Sequence, residues 1–209
     1  MGGRALTRRL GVMGGTFDPV HLGHLAVAEE ARERLELETI LFVPAGAPPH
    51  KPEGPEASVE DRVAMVQLAI ADNAGFELSR VEVDRPGPSY TSDTVSLLGR
   101  GGDELVLILS AETFRDLPAW HQPARLLDAA RVAVAPREGF PAPDAAWIAA
   151  RFPGREDRIA LLEGPRLGIS STGIRARVAD RRSIRYLVPD AVRGYIEDHG
   201  LYQRRTPST

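Results

Sequence analysis

The residues that could most clearly bind a ligand or take part in a reaction lie near the N-terminus. They form the run Gly14-Gly15-Thr16-Phe17-Asp18-Pro19-Val20-His21-Leu22-Gly23-His24. This run follows a predicted buried strand and opens a predicted helix. Gly14 and Gly15 lack Cβ atoms, so the backbone can approach a phosphate closely. His21 and His24 lie three residues apart at the helix N-terminus, where both rings can face one anion and the helix dipole adds positive potential. The pattern predicts an anion-binding site at the carboxyl end of the first strand.

The same residues allow other interpretations, which the sequence disfavours. His21, His24 and Asp18 could hold a metal ion, but the positive end of a helix repels a cation and no further ligand lies close in the sequence. The chain has neither the Gly-x-Gly-x-x-Gly nor the Gly-x-x-x-x-Gly-Lys fingerprint of other phosphate-binding loops. We therefore expect no metal ligands among the site residues.

Strands and helices alternate along the chain that carries these residues. Apolar runs predict short buried strands at 9–13, 39–43, 76–84, 105–110, 131–135 and 159–162. Helical patterns lie at 22–35, 58–70 with Ser58 as the N-cap, 91–100, 144–151, 171–179 and 189–199. The alternation favours an α/β fold, a Rossmann-like doubly wound parallel sheet with helices on both faces and a small helical C-terminal part. In such sheets, ligands bind at the carboxyl ends of the strands.

The composition is that of an ordinary globular protein: 209 residues, 43% hydrophobic and 26% charged, with no cysteine. We expect a single domain over 1–209, with flexible ends at 1–8 and 204–209. The absence of cysteine excludes disulfides and thiolate chemistry. The net charge of −3 gives no overall attraction to nucleic acid or to a membrane. A cytoplasmic protein with neither of these partners is expected, and its oligomeric state is left open.

The run at 14–24 resembles the His-x-Gly-His motif of the nucleotidylyltransferase superfamily, whose members join a nucleoside triphosphate to a phosphate-bearing acceptor. A second element of that superfamily lies in Ile169-Ser170-Ser171-Thr172-Gly173-Ile174-Arg175. Ser171 or Thr172 can cap a helix whose free N–H groups then face phosphates, and Arg175 supplies a charged fork. Alone this run indicates only a helix cap, but with the first motif it indicates the second half of a triphosphate site.

Further segments narrow the resemblance to the bacterial nicotinate-nucleotide adenylyltransferases, which make deamido-NAD and pyrophosphate from nicotinate mononucleotide and ATP. These segments are Pro48-Pro49-His50-Lys51, Arg85-Pro86-Gly87-Pro88-Ser89-Tyr90-Thr91, Leu117-Pro118-Ala119-Trp120 and the C-terminal stretch from Ile184 to Tyr202. One departure stands out. Where the family commonly has Gly-Ala-Asp after the fourth strand, this chain has Ser110-Ala111-Glu112, and the family's acid there holds hydroxyls of the adenosine ribose.

The resemblance implies a role for each segment. His21, His24, Lys51 and Arg175 would be the catalytic residues, and Mg²⁺ would arrive bridging the ATP phosphates. The ATP-binding set would be Gly14, Gly15, Thr16, Phe17, His21, His24, Ser110, Glu112, Ile169, Ser170, Ser171, Thr172 and Arg175. The nicotinate mononucleotide would contact Lys51, Ser89, Tyr90, Thr91, Trp120 and His121. Its pyridine ring would stack on Trp120, and backbone N–H groups near Thr91 and His121 would receive its carboxylate.

Two other functions are open at this point. A pantetheine-phosphate or riboflavin-phosphate adenylyltransferase shares the superfamily motifs but lacks the combined Pro-Pro-His-Lys, Ser-Tyr-Thr and Trp120 set. A catalytically weak nucleotide-binding regulator would account for Ser110 and Glu112. Turnover of ATP with nicotinate mononucleotide distinguishes the three possibilities.

Overall fold

The computed structural model describes residues 7–47 and 54–204. Within these ranges the strands are β1 (Arg9–Gly15), β2 (Thr39–Pro44), β3 (Phe76–Leu78), β4 (Glu104–Ser110), β5 (Arg131–Ala135) and β6 (Ile159–Leu161). The α-helices of the same ranges are α1 (Leu22–Arg34), α2 (Val59–Ile70), α3 (Thr91–Leu98), α4 (Ala111–Asp116), α5 (Pro123–Ala129), α6 (Ala145–Arg151), α7 (Ser171–Ala179) and α8 (Asp190–Asp198). Short 3₁₀ turns lie at Gly99–Gly101, Leu117–Ala119 and Glu156–Arg158.

The strands form one parallel sheet in the order β3-β2-β1-β4-β5-β6. This order confirms the doubly wound, Rossmann-like architecture expected from the sequence. The direction of winding reverses between β1 and β4, which opens a crevice at their carboxyl ends. Gly14 and Gly15 end β1 and Ser110 ends β4, so residues from two predicted site segments lie beside this crevice.

Two hydrophobic cores lie on opposite faces of the sheet. Val106 and Ile108 of β4 pack into one core while Leu105 and Leu107 pack into the other, because successive side chains of a strand point to opposite faces. The first core is covered by α1, α2, α7 and α8, and the second by α3, α4, α5 and α6. Among the residues that the structure describes, no helix is long and apolar enough to cross a membrane.

Most predicted elements are present, but one strand is shorter and two helices were missed. The strand predicted at 76–84 ends at Leu78, because the chain turns at 80–84, where the Asp84 N–H donates to the Arg80 carbonyl at 2.9 Å. In that turn Glu82 is buried, with its carboxylate accepting the Thr94 hydroxyl at 2.7 Å. Helices α4 and α5 have six and seven residues, too short to show a helical period in the sequence.

The ends of the described chain are tied to the domain. Arg8 pairs with Asp103 at 2.8 Å, and Arg204 pairs with Asp180 at 2.8 Å. The rest of the two ends that we expected to be flexible, 1–6 and 205–209, lies outside the described residues.

The C-terminal part packs against the first motif through a buried carboxylate. The Tyr202 hydroxyl donates to Oδ1 of Asp18 at 2.7 Å. Asp18 is only 2% exposed, and its carboxylate also accepts the backbone N–H groups of Glu56 at 2.9 Å and Ala57 at 3.1 Å. Burial and this carboxylate raise the pKa of Tyr202, so its hydroxyl keeps the proton that it donates.

We expect Tyr202→Phe to lower the free energy of unfolding by about 1–2 kcal/mol, because the buried Asp18 loses one charge-assisted hydrogen bond and keeps two. Urea unfolding of the variant measures this loss. Tyr186→Phe is the matched control, since Tyr186 is 80% exposed. Equal stability of Tyr202→Phe and the control would contradict a stabilising role for this contact.

Candidate active site

The two histidines of the first motif stack against each other at the start of α1. His21 is the N-cap residue in an extended conformation, and its N–H donates to Nδ1 of His24 at 3.2 Å. The ring centroids of His21 and His24 are 3.7 Å apart, with 22° between the planes. Because Nδ1 of His24 accepts a hydrogen bond, the proton of the neutral ring lies on Nε2 and can be donated to a ligand.

Gly23 lies in close contact with the His21 ring. A Cβ atom at this position would lie 3.0 Å from Nδ1 and 3.1 Å from Cε1 of His21. Any side chain at residue 23 would therefore press on the ring and on its stacking with His24. The glycine between the two histidines follows from this packing, not from backbone freedom.

The second motif begins α7 and contacts the first motif directly. Ser170 is the N-cap residue, and its Oγ accepts the Gly173 N–H at 3.1 Å. The expectation that Ser171 or Thr172 caps this helix is therefore wrong. The Ser171 hydroxyl instead donates to the Pro19 carbonyl at 2.9 Å, which joins segments 152 residues apart in the chain.

Arg175 lies one turn into α7 and is held over the first motif. Its Nη1 donates to the Asp18 carbonyl at 2.9 Å, and its Nε donates to the Glu56 carboxylate at 2.5 Å. The Arg175 side chain is 18% exposed and the Glu56 side chain is 59% exposed. The guanidinium is thus anchored on one side by the backbone, while the surface carboxylate on the other side can be displaced.

One cavity of about 360 Å³ brings most of the predicted ATP-binding residues together. Its lining includes both glycines that end β1, both histidines, the serine that ends β4 and the start of α7. The predicted residues in this lining are Gly14, Gly15, His21, His24, Ser110, Ile169, Ser170, Ser171, Thr172 and Arg175. The residues predicted to form an anion site therefore line one concave surface.

Three residues of the predicted ATP-binding set are not in that lining. Phe17 is 2% exposed and belongs to the first core, where its ring meets the His24 ring edge-on at 5.1 Å. Thr16 is partly buried, and its carbonyl accepts Nη1 of Arg62 at 2.7 Å. The contacts of Phe17 and Thr16 within the protein help to position His24 and the loop backbone. The third residue is Glu112.

Glu112 is paired with an arginine that the sequence analysis missed. Its carboxylate accepts Nη1 of Arg137, which follows β5 and lines the cavity. Both side chains are about 40% exposed, so a ligand can reach them. The signal that could have identified Arg137 is its position: it comes two residues after a buried strand, at the carboxyl edge of a doubly wound sheet.

Ser110 has a structural reason to stand where the family commonly has glycine. It is the N-cap residue of α4, and its Oγ accepts the Thr113 N–H at 3.2 Å. A serine at an N-cap satisfies a helix N–H that glycine leaves to water.

The residues expected on the acceptor side form a separate group near the start of α3. Tyr90 is the N-cap residue of α3, so the first N–H groups of that helix, including that of Thr91, have no partner within the helix. The Tyr90 and His121 rings lie 4.4 Å apart, and Trp120 follows the 3₁₀ turn just before His121. Ser89 is buried, and its Oγ accepts the Ala47 N–H at 3.3 Å.

Loop 45–47 connects this group to the cavity. The Ala45 N–H donates to the carbonyl of Gly15, a residue that lines the cavity, at 2.9 Å. The expectation for Lys51, with the rest of the Pro-Pro-His-Lys segment, lies outside the described residues.

The environment of the cavity keeps its histidines neutral. Burial, and secondarily the positive charge of Arg137, lower the pKa of His21 from 6.5 to about 4. Burial, with His21 and Arg137 nearby, also lowers the pKa of His24 well below its ordinary value. Positive potential here therefore comes from Arg137, Arg175 and the N-termini of α1 and α7, and the histidines act as hydrogen-bond donors.

The described residues contain no cluster of three or more histidine or carboxylate side chains arranged to hold a metal ion. Asp18 was considered above as a metal ligand together with His21 and His24. Its carboxylate instead accepts hydrogen bonds from Glu56, Ala57 and Tyr202.

Comparison with known proteins places the chain in a family. The sequence model described as cytidylyltransferase-like matches residues 12–177, so the chain belongs to the cytidylyltransferase-like family. Within that family it belongs with the nicotinate-nucleotide adenylyltransferases, which confirms the resemblance drawn from the motifs. A protein of Roseiflexus sp. (strain RS-1) named probable nicotinate-nucleotide adenylyltransferase is 52% identical over 195 residues, covering 93% of this chain and 98% of its own. A protein of the same name from Thermus thermophilus is 45% identical over 197 residues, covering 93% and 100%.

Solved structures show the same fold. The Plasmodium falciparum nicotinic acid mononucleotide adenylyltransferase in complex with NaAD has a TM-score of 0.78, with 18% identity, over 93% of this chain and 97% of its own. A second structure of that enzyme, in complex with APC, has a TM-score of 0.77, with 18% identity and the same coverage of both chains. At 18% sequence identity, these two structures show that the chain has the same fold and nothing beyond the fold.

We expect the His21 imidazole to titrate near pH 4 and to be neutral at pH 7, because protonation would place a charge in a buried site beside Arg137. Titration of the imidazole ¹⁵N resonances measures the midpoint. Since the unfolded chain takes up this proton near pH 6.5 and the folded chain near pH 4, the free energy of unfolding falls by up to about 3 kcal/mol as the pH drops through that window.

His21→Gln removes the titrating group and should reduce that fall in stability. A midpoint close to 6.5 for His21 in the folded protein would contradict the neutral state described above.

Proposed function

We propose that the chain transfers AMP from ATP to nicotinate mononucleotide, producing deamido-NAD and pyrophosphate. The observation that carries this proposal is the single cavity in which the N-termini of α1 and α7 meet, with His24 and Arg175 at its wall. Two helix N-termini and an arginine fork favour an oligophosphate ligand. Relatives 45–52% identical over almost the whole chain carry the name of this activity.

The chemistry that we propose requires alignment and charge compensation but no general base. An oxygen of the acceptor phosphate, already ionised near pH 7, forms a bond to the α-phosphorus of ATP. The bond between that phosphorus and the bridging oxygen breaks, and the electron pair leaves with pyrophosphate. In this proposal Nε2–H of His24 donates to an α-phosphate oxygen, and Arg175 exchanges Glu56 for the departing phosphates.

Magnesium enters this scheme as part of the substrate. Mg²⁺ bound to the β- and γ-phosphates would reduce the charge on the leaving group. The proposed Mg·ATP complex suits a site whose own contributions are neutral imidazoles, N–H groups and arginines.

The acceptor site is proposed at the start of α3. The N–H groups of Thr91 and Ser92, which have no partner within the helix, suit the carboxylate of nicotinate. A carboxylate accepts hydrogen bonds from such donors at both oxygens, whereas the NH₂ group of nicotinamide presents further donors to them. The proposed role of Trp120 is to stack on the pyridine ring.

Turnover with ATP and each candidate acceptor tests the proposed function. We expect rapid pyrophosphate release with nicotinate mononucleotide and much slower release with nicotinamide mononucleotide, phosphopantetheine or riboflavin phosphate. Faster turnover of one of the other acceptors would replace the proposed substrate. ATP binding without turnover of any acceptor would favour the nucleotide-binding regulator.

We expect His24→Ala to lower kcat by about 10²–10³-fold, the usual effect of removing a preorganised donor to the transferring group. The Michaelis constant for nicotinate mononucleotide should change much less. His199→Ala is the matched control, because His199 is exposed at the end of α8. A folded His24→Ala variant with near-normal kcat would rule out this role.

Glu112 is proposed to hold the ribose hydroxyls of ATP while Arg137 orients its carboxylate. We expect Glu112→Asp to weaken ATP binding by about fivefold, roughly 1 kcal/mol, because the shorter acid cannot reach both partners. Glu112→Ala should weaken binding further. The matched control is Glu104→Asp at the opposite end of β4, which is 39% exposed and also paired with arginines. Equal ATP affinities across this series would exclude the ribose role.

A further inference from the structure

A second cavity lined by described residues lies apart from the candidate active site. It measures about 980 Å³ and lies between the C-terminal end of α7, the segment that follows it and α8. Its wall contains five arginines and one glutamate: Arg181, Arg182, Arg185, Arg193, Arg204 and Glu197. The candidate active site lies at the other end of α7, whose nine residues span roughly 13 Å.

Two of these arginines are neutralised by carboxylates, and three are not. Arg193 pairs with Glu197 at 3.0 Å, and Arg204 pairs with Asp180 at 2.8 Å. Within residues 7–47 and 54–204, no carboxylate lies within ion-pair distance of Arg181, Arg182 or Arg185. The cavity therefore has an uncompensated charge of three on arginine side chains, against a net charge of −3 for the chain.

The helix dipole accounts for only part of this cluster. A cation beside the last turn of α7 stabilises the free carbonyl groups there, and Arg181 and Arg182 are placed to do so. Arg185 lies beyond that turn, with its guanidinium over the Tyr186 ring at 5.9 Å. Tyr186 itself is 80% exposed and has a left-handed φ of 65°.

The backbone at Arg181 has the left-handed conformation that ends a helix. The Arg182 N–H donates to the Arg177 carbonyl at 2.8 Å, and Arg181 has a φ of 55°. This is the helix-ending geometry in which glycine is the least strained residue. At the end of α8 the equivalent position is Gly200, with a φ of 59°. The first turn after α7 thus carries an arginine where glycine would fit without strain.

We propose that this cavity binds a phosphate-rich anion, of the oligophosphate class, at a site separate from the candidate active site. Arginine guanidinium groups form paired hydrogen bonds to phosphate oxygens, and three of them around one cavity suit several phosphate groups. The apolar residues at the base, Ile184 and Ile196, are 4% and 1% exposed and offer little surface to a hydrophobic ligand. The phosphate groups are therefore the recognised part.

Titration calorimetry with inorganic tripolyphosphate at low ionic strength tests the proposal. We expect two binding events in the wild-type chain, of which Arg181→Gly/Arg185→Ser weakens one by about tenfold or more. Turnover of ATP and nicotinate mononucleotide by this double variant should stay at the wild-type level, since neither residue lines the candidate active site. Retention of both events at wild-type affinity would overturn the proposal.

The chain offers two controls for this experiment. Glu36 ends α1 with the same geometry and a φ of 51°, so Glu36→Gly reproduces the backbone change without removing an arginine of the cavity. Arg100→Ser/Arg151→Ser removes two exposed arginines elsewhere. Both controls should keep both binding events. A loss as large in the arginine control as in the test variant would indicate general charge attraction and would overturn the site.

Folding and ligand identity are read from two further measurements. Because glycine relieves the strain at residue 181, Arg181→Gly should unfold at or above the wild-type midpoint temperature while it binds tripolyphosphate more weakly. A lower midpoint together with weaker binding would make the effect structural and contradict the proposal.

Repeating the titration with GTP distinguishes a nucleotide ligand from a simple oligophosphate. The comparison uses the binding event that the double variant weakens. If GTP binds there more tightly than tripolyphosphate, the ligand is a nucleotide; if the two bind equally, only the phosphate groups are recognised.

Discussion

The buried carboxylate of Asp18 is the contact on which the candidate active site depends. It lies in the turn between β1 and α1 and accepts hydrogen bonds from the segment before α2 and from Tyr202 near the C-terminus. A carboxylate that is 2% exposed must be satisfied by such donors, or its burial would be strongly unfavourable. Two distant parts of the chain are therefore fixed against one loop, whose last residue before α1 is His21.

The same loop also positions the second half of the site through its backbone. The carbonyls of Asp18 and Pro19 accept hydrogen bonds from Arg175 and Ser171, so the start of α7 is held against the start of α1. Each half alone is an ordinary helix N-terminus with a modest affinity for anions. Held together, they present converging N–H groups to one cavity. Substitutions at Asp18 would thus affect phosphate binding without any contact between its carboxylate and the ligand.

Sequence patterns were sufficient to predict the sheet and to identify the two motifs that line the cavity, because both depend on short-range signals. Strand–helix alternation and the spacing of His21 and His24 are visible within about 35 residues. The pairing of Glu112 with Arg137 was not predictable, because it requires knowing that β4 and β5 are neighbours. The buried role of Asp18 was missed for a similar reason: its donors lie 38, 39 and 184 residues away. At Glu82 the short-range pattern itself was misleading. The alternation of apolar and polar residues predicted a strand over 76–84, but the strand ends at Leu78 and Glu82 lies in the following turn.

The neutrality of the histidines follows from the crowding that makes the site. Two imidazoles stacked at 3.7 Å beside Arg137 cannot both be protonated without strong repulsion, and burial disfavours even one charge. A neutral ring donates its hydrogen bond in a fixed direction. Nδ1 of His24 accepts the backbone N–H of His21, so the ring proton lies on Nε2, which is the donor. The positive charge that attracts a phosphate ligand then comes from the arginines, whose charge does not depend on pH in the physiological range. The stacking of the two histidines and the charge of Arg137 thus have one effect in common, since each favours a neutral His24 that donates in a fixed direction.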